Sequence, residues 1–529
     1  MRHLHQAILS ICKRAENYHR DDLIASYVDV GHIFTVLSTP ENQVLFGRRG
    51  TGKTHVFAFL GNQVASRGET VIQLDLRTLG SSGGIYSDPN LPLSQRATRL
   101  LVDALQAIHD AILEATVEDT SGQYDLSVIA PHLDSFLEAA SEVAVIGPTE
   151  TEKTEVRRDE GSKSCGAAVK ANTEGLSVSA SAQSTMKDVS GRETTTRQYG
   201  PMHHRVHFGQ VVKKLRALLA YLPSKSLWLL MDEWSEIPLD LQPYLADLLR
   251  RTVFIIPGIK VKIAAIEHRC QFRIADSDSG HIGIEIGADA AASVNLDEFL
   301  VFEANPARSQ QFFRDLLFKH VSTVAEDTGD FVAPESSSSL VNDLFTQMTA
   351  FEEFVRAAEG NPRDGINILG QAVLKADNAT ISVPAVREGA RSWYVRDKLH
   401  NVAGHSEAQG LLNWVLDEVI KHRQARAFLV RSELRDALLE FLYDARVLHI
   451  IKKGVSGHDQ PGKRFDVYAL DYGCYVELIN TAKAPKGLLA IMDEEFDRVE
   501  YIDVPQTDHR SIRRAILDLE EFYKRNIRF

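Results

Sequence analysis

Hydrophobic positions along the chain switch between short continuous runs and a helical spacing. Gln43-Val44-Leu45-Phe46 predicts a strand, and a helix follows over about 53–66. The segment 69–75 predicts a second strand. From Leu93 to about residue 113, apolar side chains recur near every 3.6 residues, the mark of an amphipathic helix. Farther on, Leu227-Trp228-Leu229-Leu230-Met231 is apolar throughout, which fits a parallel strand buried on both faces. A helix carrying Leu239, Leu241, Tyr244, Leu245 and Leu248 comes next, then a strand at 261–269 with polar residues at its tip, and 299–302 reads as the last strand. Strand, helix, strand, helix is the pattern of a doubly wound sheet, so the predicted fold class is α/β, a parallel sheet between two layers of helices. Ahead of it, residues 1–40 read as a helix and an extended approach, Tyr27-Val28-Asp29-Val30-Gly31.

Between about 147 and 200 the pattern lapses. Ser, Thr, Gly and Glu dominate there, and such a segment cannot build a core of its own. Within it Ala167, Val169 and Ala171 occupy alternate positions, and the alternation resumes at Leu176 after Thr173-Glu174-Gly175. Two readings stand, a disordered polar insert or a projecting β-hairpin that pairs with a neighbouring subunit or a substrate. From Asn305-Pro306 to about 402 the spacing is helical. Asn361 is placed there as a helix cap and Pro362 as the first helical residue, which puts Arg363 in the first turn, able to reach across a cleft. The remainder, 403–529, reads as a helix with Leu411 to Ile420, a second helix opening at Ser432-Glu433-Leu434-Arg435, and a hairpin from 447–451 and 465–470. That is a winged-helix plan. A tail helix from about 507 to 526 aligns Ile512, Ile516, Leu519 and Tyr523 on one face, which packs on the rest of its own domain.

Composition narrows the class. A chain of 529 residues exceeds one core and divides into about three domains. No run of eighteen apolar residues occurs, and Met1-Arg2-His3-Leu4-His5 lacks the apolar stretch of a signal peptide, so a cytoplasmic protein without a membrane partner is expected. Cys12, Cys165, Cys270 and Cys474 are scattered without C-x-x-C spacing, and His203, His204 and His207 have no partner at ligand spacing, so neither disulfides nor zinc are expected. A net charge of −13 argues against a surface that grips nucleic acid everywhere. Residues 421–470 nevertheless hold ten Lys or Arg against six Asp or Glu, the footprint of a DNA-facing module. A protein-docking role stays open beside it, because Glu433, Asp436, Glu440 and Asp444 lie on the helix that would approach a groove.

The chemistry begins where the first strand ends. Gly47-Arg48-Arg49-Gly50-Thr51-Gly52-Lys53-Thr54 fits G-x-x-x-x-G-K-T, a loop whose glycines let backbone N–H groups wrap phosphate oxygens. Lys53 then neutralises the β- and γ-phosphates, the Thr54 hydroxyl takes a position on Mg²⁺, and the next helix aims its N-terminus at the same phosphates. The whole loop, Gly47 through Thr54, is a candidate ATP contact. The apolar run 227–231 ends in Asp232-Glu233. Asp232 is expected to share the Mg²⁺ with Thr54, and Glu233 to polarise the attacking water.

In this order along the chain, Gly47 to Thr54, Leu229 to Glu233, the strand ending Glu267-His268-Arg269, and Gly360-Asn361-Pro362-Arg363 resemble the AAA+ P-loop ATPases, in particular their origin-recognition-like branch in its bacterial form. The resemblance covers about residues 20–400. It implies an AAA+ core at 41–305, an α-helical lid at 306–402 and a winged helix within 403–529, with ATP and Mg²⁺ as cofactors. It places Arg363 as the lid's reader of the γ-phosphate. It also implies an arginine finger, Arg269 or Arg273, completing a neighbour's site in a homo-oligomer. The family's first sensor is usually Asn, Thr or Ser; this chain has Glu267 and His268.

The expected function is an ATPase that oligomerises and couples ATP binding and hydrolysis to action on duplex DNA or a protein effector, in an anti-phage defence or mobile-element setting. The alternatives are a replication-initiator-like DNA-loading ATPase and a nucleotide-gated signalling scaffold with little turnover.

Overall fold

The computed structural model describes residues 2–79, 86, 88, 90–119, 122–140, 206–276, 280–301, 305–329, 331–421, 427–456, 462–480 and 516–526, together with the backbone of strands at 143–145, 149–154, 165–172, 175–187, 193–204, 491–492 and 499–500. Its centre is a sheet of β1 (Gln43–Phe46), β2 (Thr70–Asp75), β3 (Leu227–Asp232), β4 (Ile259–Ala265) and β5 (Ala291–Asn295), in the order β5-β1-β4-β3-β2. Every pairing is parallel, so all five strands point their carboxyl ends at one edge.

Alternation along the strands decides the layers. Leu45, Trp228, Leu230 and Ala264 enter one apolar cluster, with α1 (Arg2–Ser10), α2 (Lys53–Ala65) and the helices beyond residue 305. Val44, Phe46, Leu229, Met231 and Ile263 enter the other, with α3 (Leu93–Val117), α4 (Leu126–Ala140) and α5 (Phe208–Leu219). All six positions of β3 are buried, as its unbroken hydrophobicity requires.

The helical layer includes α6 (Pro306–Thr328), α7 (Pro362–Ala376) and α8 (Val383–Trp393). A C-terminal module follows, with α9 (Ser406–Trp414), β6 (Ala427–Arg431), α10 (Ala437–Asp444), β7 (Leu448–Ser456), β8 (Arg464–Leu470), α11 (Tyr472–Asn480) and α12 (Leu519–Asn526). Its three strands form an antiparallel sheet in the order β6-β8-β7. In the polar insert, Cys165–Asn172 pairs antiparallel with Gly175–Lys187, Asn172 opposite Gly175. No helix among the described residues is long and apolar enough to cross a membrane.

Several elements differ from the sequence reading, among them β6, which it did not contain. The fifth strand is Ala291–Asn295, not 299–302: the Asn295 side chain accepts from Asp297 N and caps a short helix, Leu296–Phe299, that turns Leu300 into the core. Helix α4 was hidden by Pro131 inside it, although Ile129, Leu133, Phe136 and Ala140 are buried at helical spacing. Helix α10 is capped by Asp436, whose carboxylate accepts from Leu439 N, while Ser432 instead donates to Asp466. The tail helix starts at Leu519; Leu517 N donates to Leu429 O beside β6, and 507–515 lies outside the described residues. Leu517, Leu519 and Phe522 are buried in the module's own cluster; of the expected face Leu519 is among them, Tyr523 is partly buried beside it, Ile516 lies ahead of the helix and Ile512 is outside the described residues.

Candidate nucleotide-binding site

The site forms at the carboxyl edge of the sheet. From the end of β1, Gly47 N donates to Ala265 O of β4 at 3.1 Å, which seats the loop across two strands. The chain then turns through Gly50 and Gly52 with φ of +90° and +97° before α2 begins at Lys53. Lys53 Nζ lies inside the loop it closes, donating to Gly47 O at 2.8 Å and Arg48 O at 3.2 Å. Burial lowers its pKa, against Glu233 and Asp232, which favour the ammonium.

Thr54 Oγ1 donates to Asp232 Oδ2 at 2.7 Å. A hydroxyl and a carboxylate oxygen are the hard donors Mg²⁺ takes alongside water and phosphate, so the pair fits that ion. Burial raises the Asp232 carboxyl despite the Thr54 hydrogen bond and Lys53. Glu233 follows in a left-handed conformation, φ +57°, with its N–H on Asp232 Oδ1 at 2.8 Å. That strained backbone turns it out of the strand to line the cavity above the loop. Burial, with Asp232 adding and Lys53 opposing, raises its pKa as well.

The helical layer closes the site through Gly360-Asn361-Pro362-Arg363. Gly360 has φ +72° and approaches Leu300 O so closely that a Cβ would stand 2.5 Å from it. Asn361, fully buried, caps α7 by accepting from Asp364 N and donates through Nδ2 to Arg49 O at 2.9 Å. Arg363 N donates to Gly50 O at 3.3 Å. At Gly50 a Cβ would lie 2.7 Å from both Arg363 Cβ and Asn361 Oδ1, so the loop glycine also admits the helix.

Between loop and helix lies a cavity of about 340 Å³ lined by Lys13, Arg14, Arg49, Lys53, Arg77 and Arg363 against Glu233 and Glu236. Cations outnumber acids there, as a polyphosphate requires. An adjoining apolar pocket is lined by Tyr27, Val28, Val30, Ile33, Val56 and Phe312, next to Pro362 and Gly52. One end of the cleft thus suits phosphates and the other a flat heteroaromatic base.

Of the loop residues expected to contact ATP, Arg48 is the one whose side chain the fold takes elsewhere. It is buried, its Nε on Asp297 Oδ1 at 2.9 Å, its Nη1 on Leu448 O and His449 Nδ1 at 3.2 Å each, and its guanidinium over the Tyr443 ring. Burial pushes His449 down to about 4, with Arg48 adding, so the neutral ring accepts. Arg49 stays near the cleft, paired with Glu236 at 2.6 Å. Arg269 pairs with Asp444 at 2.5 Å and lines a second cavity beside Arg49 and Arg363. Arg273 sits on an antiparallel hairpin, Arg273–Asp276 with Gly280–Gly283, pairs with Glu285, and lines neither cavity. Glu267 accepts from Asn295 and Lys453, and His268 packs edge-on against Tyr443.

Sequence reasoning missed Arg77, Tyr18, His55 and His320. Arg77 follows β2, whose Asp75 stands in register with Asp232 and holds the guanidinium, Nη2 to Oδ2 at 2.6 Å. That adjacency was the available signal. Tyr18 and His320 share a 3.1 Å hydrogen bond across 302 positions, and only the fold brings them to the cleft.

Fold and site together are those of an α/β protein with a P-loop sequence at the carboxyl edge of a parallel sheet. A family model described as ORC-CDC6-like matches residues 12–115, which carry the loop, α2, β2 and nearly all of α3. That stretch is similar to the ORC/Cdc6-type AAA+ ATPases, and the parallel sheet of five strands fits an AAA+ core. Comparison with curated proteins found no match. Among solved structures, the ORC1 protein of Aeropyrum pernix, determined in complex with DNA, aligns over 90% of this chain and 96% of its own, with 14% identity and a TM-score of 0.30.

Proposed function

We propose that the chain is an ATP-binding and ATP-hydrolysing AAA+ protein of ORC/Cdc6 type that acts on DNA. The observation that carries the enzymatic part is the 2.7 Å contact of Thr54 with Asp232 directly beneath a cation-lined cleft, with Glu233 next to it. In this reading Lys53 and Arg363 neutralise the β- and γ-phosphates, and Glu233 takes the proton of the water attacking in line. Thr54 and Asp232 would hold Mg²⁺, which would neutralise charge on the phosphoryl oxygens. The helical layer acts as a lid, since Asn361 Nδ2 and Arg363 N donate to Arg49 O and Gly50 O of the loop, contacts that a small rotation would release.

The C-terminal module is read as a winged helix because α10 precedes a hairpin in a three-stranded sheet of order β6-β8-β7. Lys452, Lys463 and Arg464 are exposed on that hairpin and are the proposed phosphate contacts to duplex DNA, whereas Lys453 is committed to Glu298 at 2.9 Å and Glu267 at 3.3 Å. The matched family favours an initiator-like role over anti-phage defence. A homo-oligomer in which a neighbour's Arg273 approaches the cleft belongs to the same reading. Duplex binding that weakens steeply with salt, and further on charge reversal of Lys452, Lys463 and Arg464, tests the DNA part. Absence of duplex binding at low salt would favour a protein partner.

A further inference from the structure

We infer that Arg269 distinguishes a bound nucleoside triphosphate from a diphosphate within its own chain, and that Asp444 of the C-terminal module competes with the terminal phosphate for it. The inference rests on the nucleotide-site reading above. The backbone of Arg269 is fixed: its N–H donates to Ile266 O at 3.0 Å, and Gln242, fully buried, donates to its carbonyl at 3.2 Å. Its side chain is 37% exposed, so the guanidinium is the part free to exchange partners.

The guanidinium lines a cavity of about 470 Å³ between the core, the helical layer and the C-terminal module. Lys13, Arg14, Arg49 and Arg363 line this cavity and the phosphate cavity alike, so the two lie side by side with these side chains between them. Of the polar tip of β4, Glu267 and His268 are occupied by Asn295, Lys453 and Tyr443, and Arg269 alone of the three lines the cavity.

Asp444 is a poor permanent partner. It ends α10, where the helix dipole disfavours a carboxylate, and its side chain is only 5% exposed. Among the described residues its Oδ1 has no hydrogen-bond partner, so Arg269 on Oδ2 is its main compensation. A terminal phosphate offers more charge and more acceptor oxygens to the same guanidinium. When Arg269 transfers to it, Asp444 is left buried without a cation, which drives the end of α10 toward water. A diphosphate lacks the group and leaves the pair closed. The triphosphate thereby loosens the module at α10 while Arg48 and Lys453 still tether it.

Calorimetry on the full chain with Mg²⁺ and either ADP or a non-hydrolysable ATP analogue tests this, for the wild type, Arg269→Ala, Arg269→Lys, Asp444→Asn and the Arg269→Ala, Asp444→Asn pair. The expected result is a loss of about tenfold for the ATP analogue in Arg269→Ala with ADP unchanged, partial recovery in Arg269→Lys, and tighter analogue binding in Asp444→Asn. The double variant should match Arg269→Ala. Amide exchange over 437–444 should rise with the analogue but not with ADP, and not in Arg269→Ala. Equal effects on both nucleotides, or exchange indifferent to the third phosphate, would overturn the inference alone. A wild type that binds neither nucleotide would overturn the site reading and the inference with it.

Discussion

The Arg48 guanidinium lies 4.5 Å from the centre of the Tyr443 ring, joining the glycine-rich loop after β1 to the helix α10 of the C-terminal module. Its second anchor is Asp297, which also accepts from Arg48 N at 2.8 Å. Both side chains are nearly buried, at 5% and 11% exposure. Arg48→Ala should therefore cost about 3 kcal/mol, mainly because the Asp297 carboxylate loses its cation. Combining it with Asp297→Asn should recover a large part of that loss, measured by urea unfolding as a double-mutant cycle. Arg48→Lys should recover little, because an ammonium cannot both stack on Tyr443 and keep the planar contact with Asp297.

Glu233→Gln should bind ATP within about twofold of wild type and lose turnover by roughly 100-fold or more, since it removes only the group proposed to accept the water's proton. Burial holds Glu233 above its usual value of 4.5. A base must be ionised to act, so kcat rises as pH climbs through that raised value, and the acid limb disappears in the Gln variant. For stability the sign is reversed. Across the window between the ordinary and raised values the folded state keeps a proton the unfolded chain has released, so stability from this group falls as pH rises. A Gln variant with wild-type turnover would remove Glu233 from the mechanism.

Asp364, one residue after Arg363, is wholly buried against Lys398 at 2.9 Å and Arg446 at 3.2 Å, with the Trp393 indole on its other oxygen. Burial opposes ionisation, but Arg446 and Lys398 hold the carboxyl well below its usual 3.8. Its stabilisation is complete above that usual value and is lost as pH falls toward the folded one. Asp364→Asn should destabilise the protein by about 3 kcal/mol at neutral pH, because two buried cations lose an anion. The gap from wild type should narrow in acid, which denaturant melts at a series of pH values will show.

Continuous or strictly periodic segments were legible in the sequence. The β1 bounds, the unbroken burial of β3 and the start of α2 at Lys53 follow from apolar runs and loop glycines, and Thr54 meets Asp232 where the apolar run 227–231 ends. Asn361 caps α7 as its position before Pro362 suggested. What stayed illegible depends on distant partners. The sequence Ala291-Ala292-Ser293-Val294-Asn295 carries little hydrophobic signal, because its place as a strand comes from pairing with β1. β6, by contrast, is an apolar run, buried from Ala427 to Val430, that lacked any polar alternation to mark its register. Arg48 could not be told from a phosphate ligand until Tyr443 and His449, about 400 positions away, were in place.

Gly50→Ala should separate the helical layer from the loop without unfolding the core. The added Cβ would collide with Arg363 and Asn361 at 2.7 Å and force an alanine to φ +90°. Nucleotide affinity should fall by about tenfold or more, with the urea midpoint little changed. Unaltered affinity would mean that the contact between Gly50 and α7 has no part in binding.

The claim on which the rest depends is that Lys53, closing its loop beneath the cation-lined cleft, holds the phosphates of a nucleotide. Titration calorimetry of the full chain with ATP and Mg²⁺ measures it directly, with Lys53→Ala as the comparison. Saturable binding at one site per chain, abolished in a Lys53→Ala variant whose urea melt remains cooperative, is the predicted result. A wild type that takes up no ATP, or a folded Lys53→Ala that binds it equally well, would contradict the account.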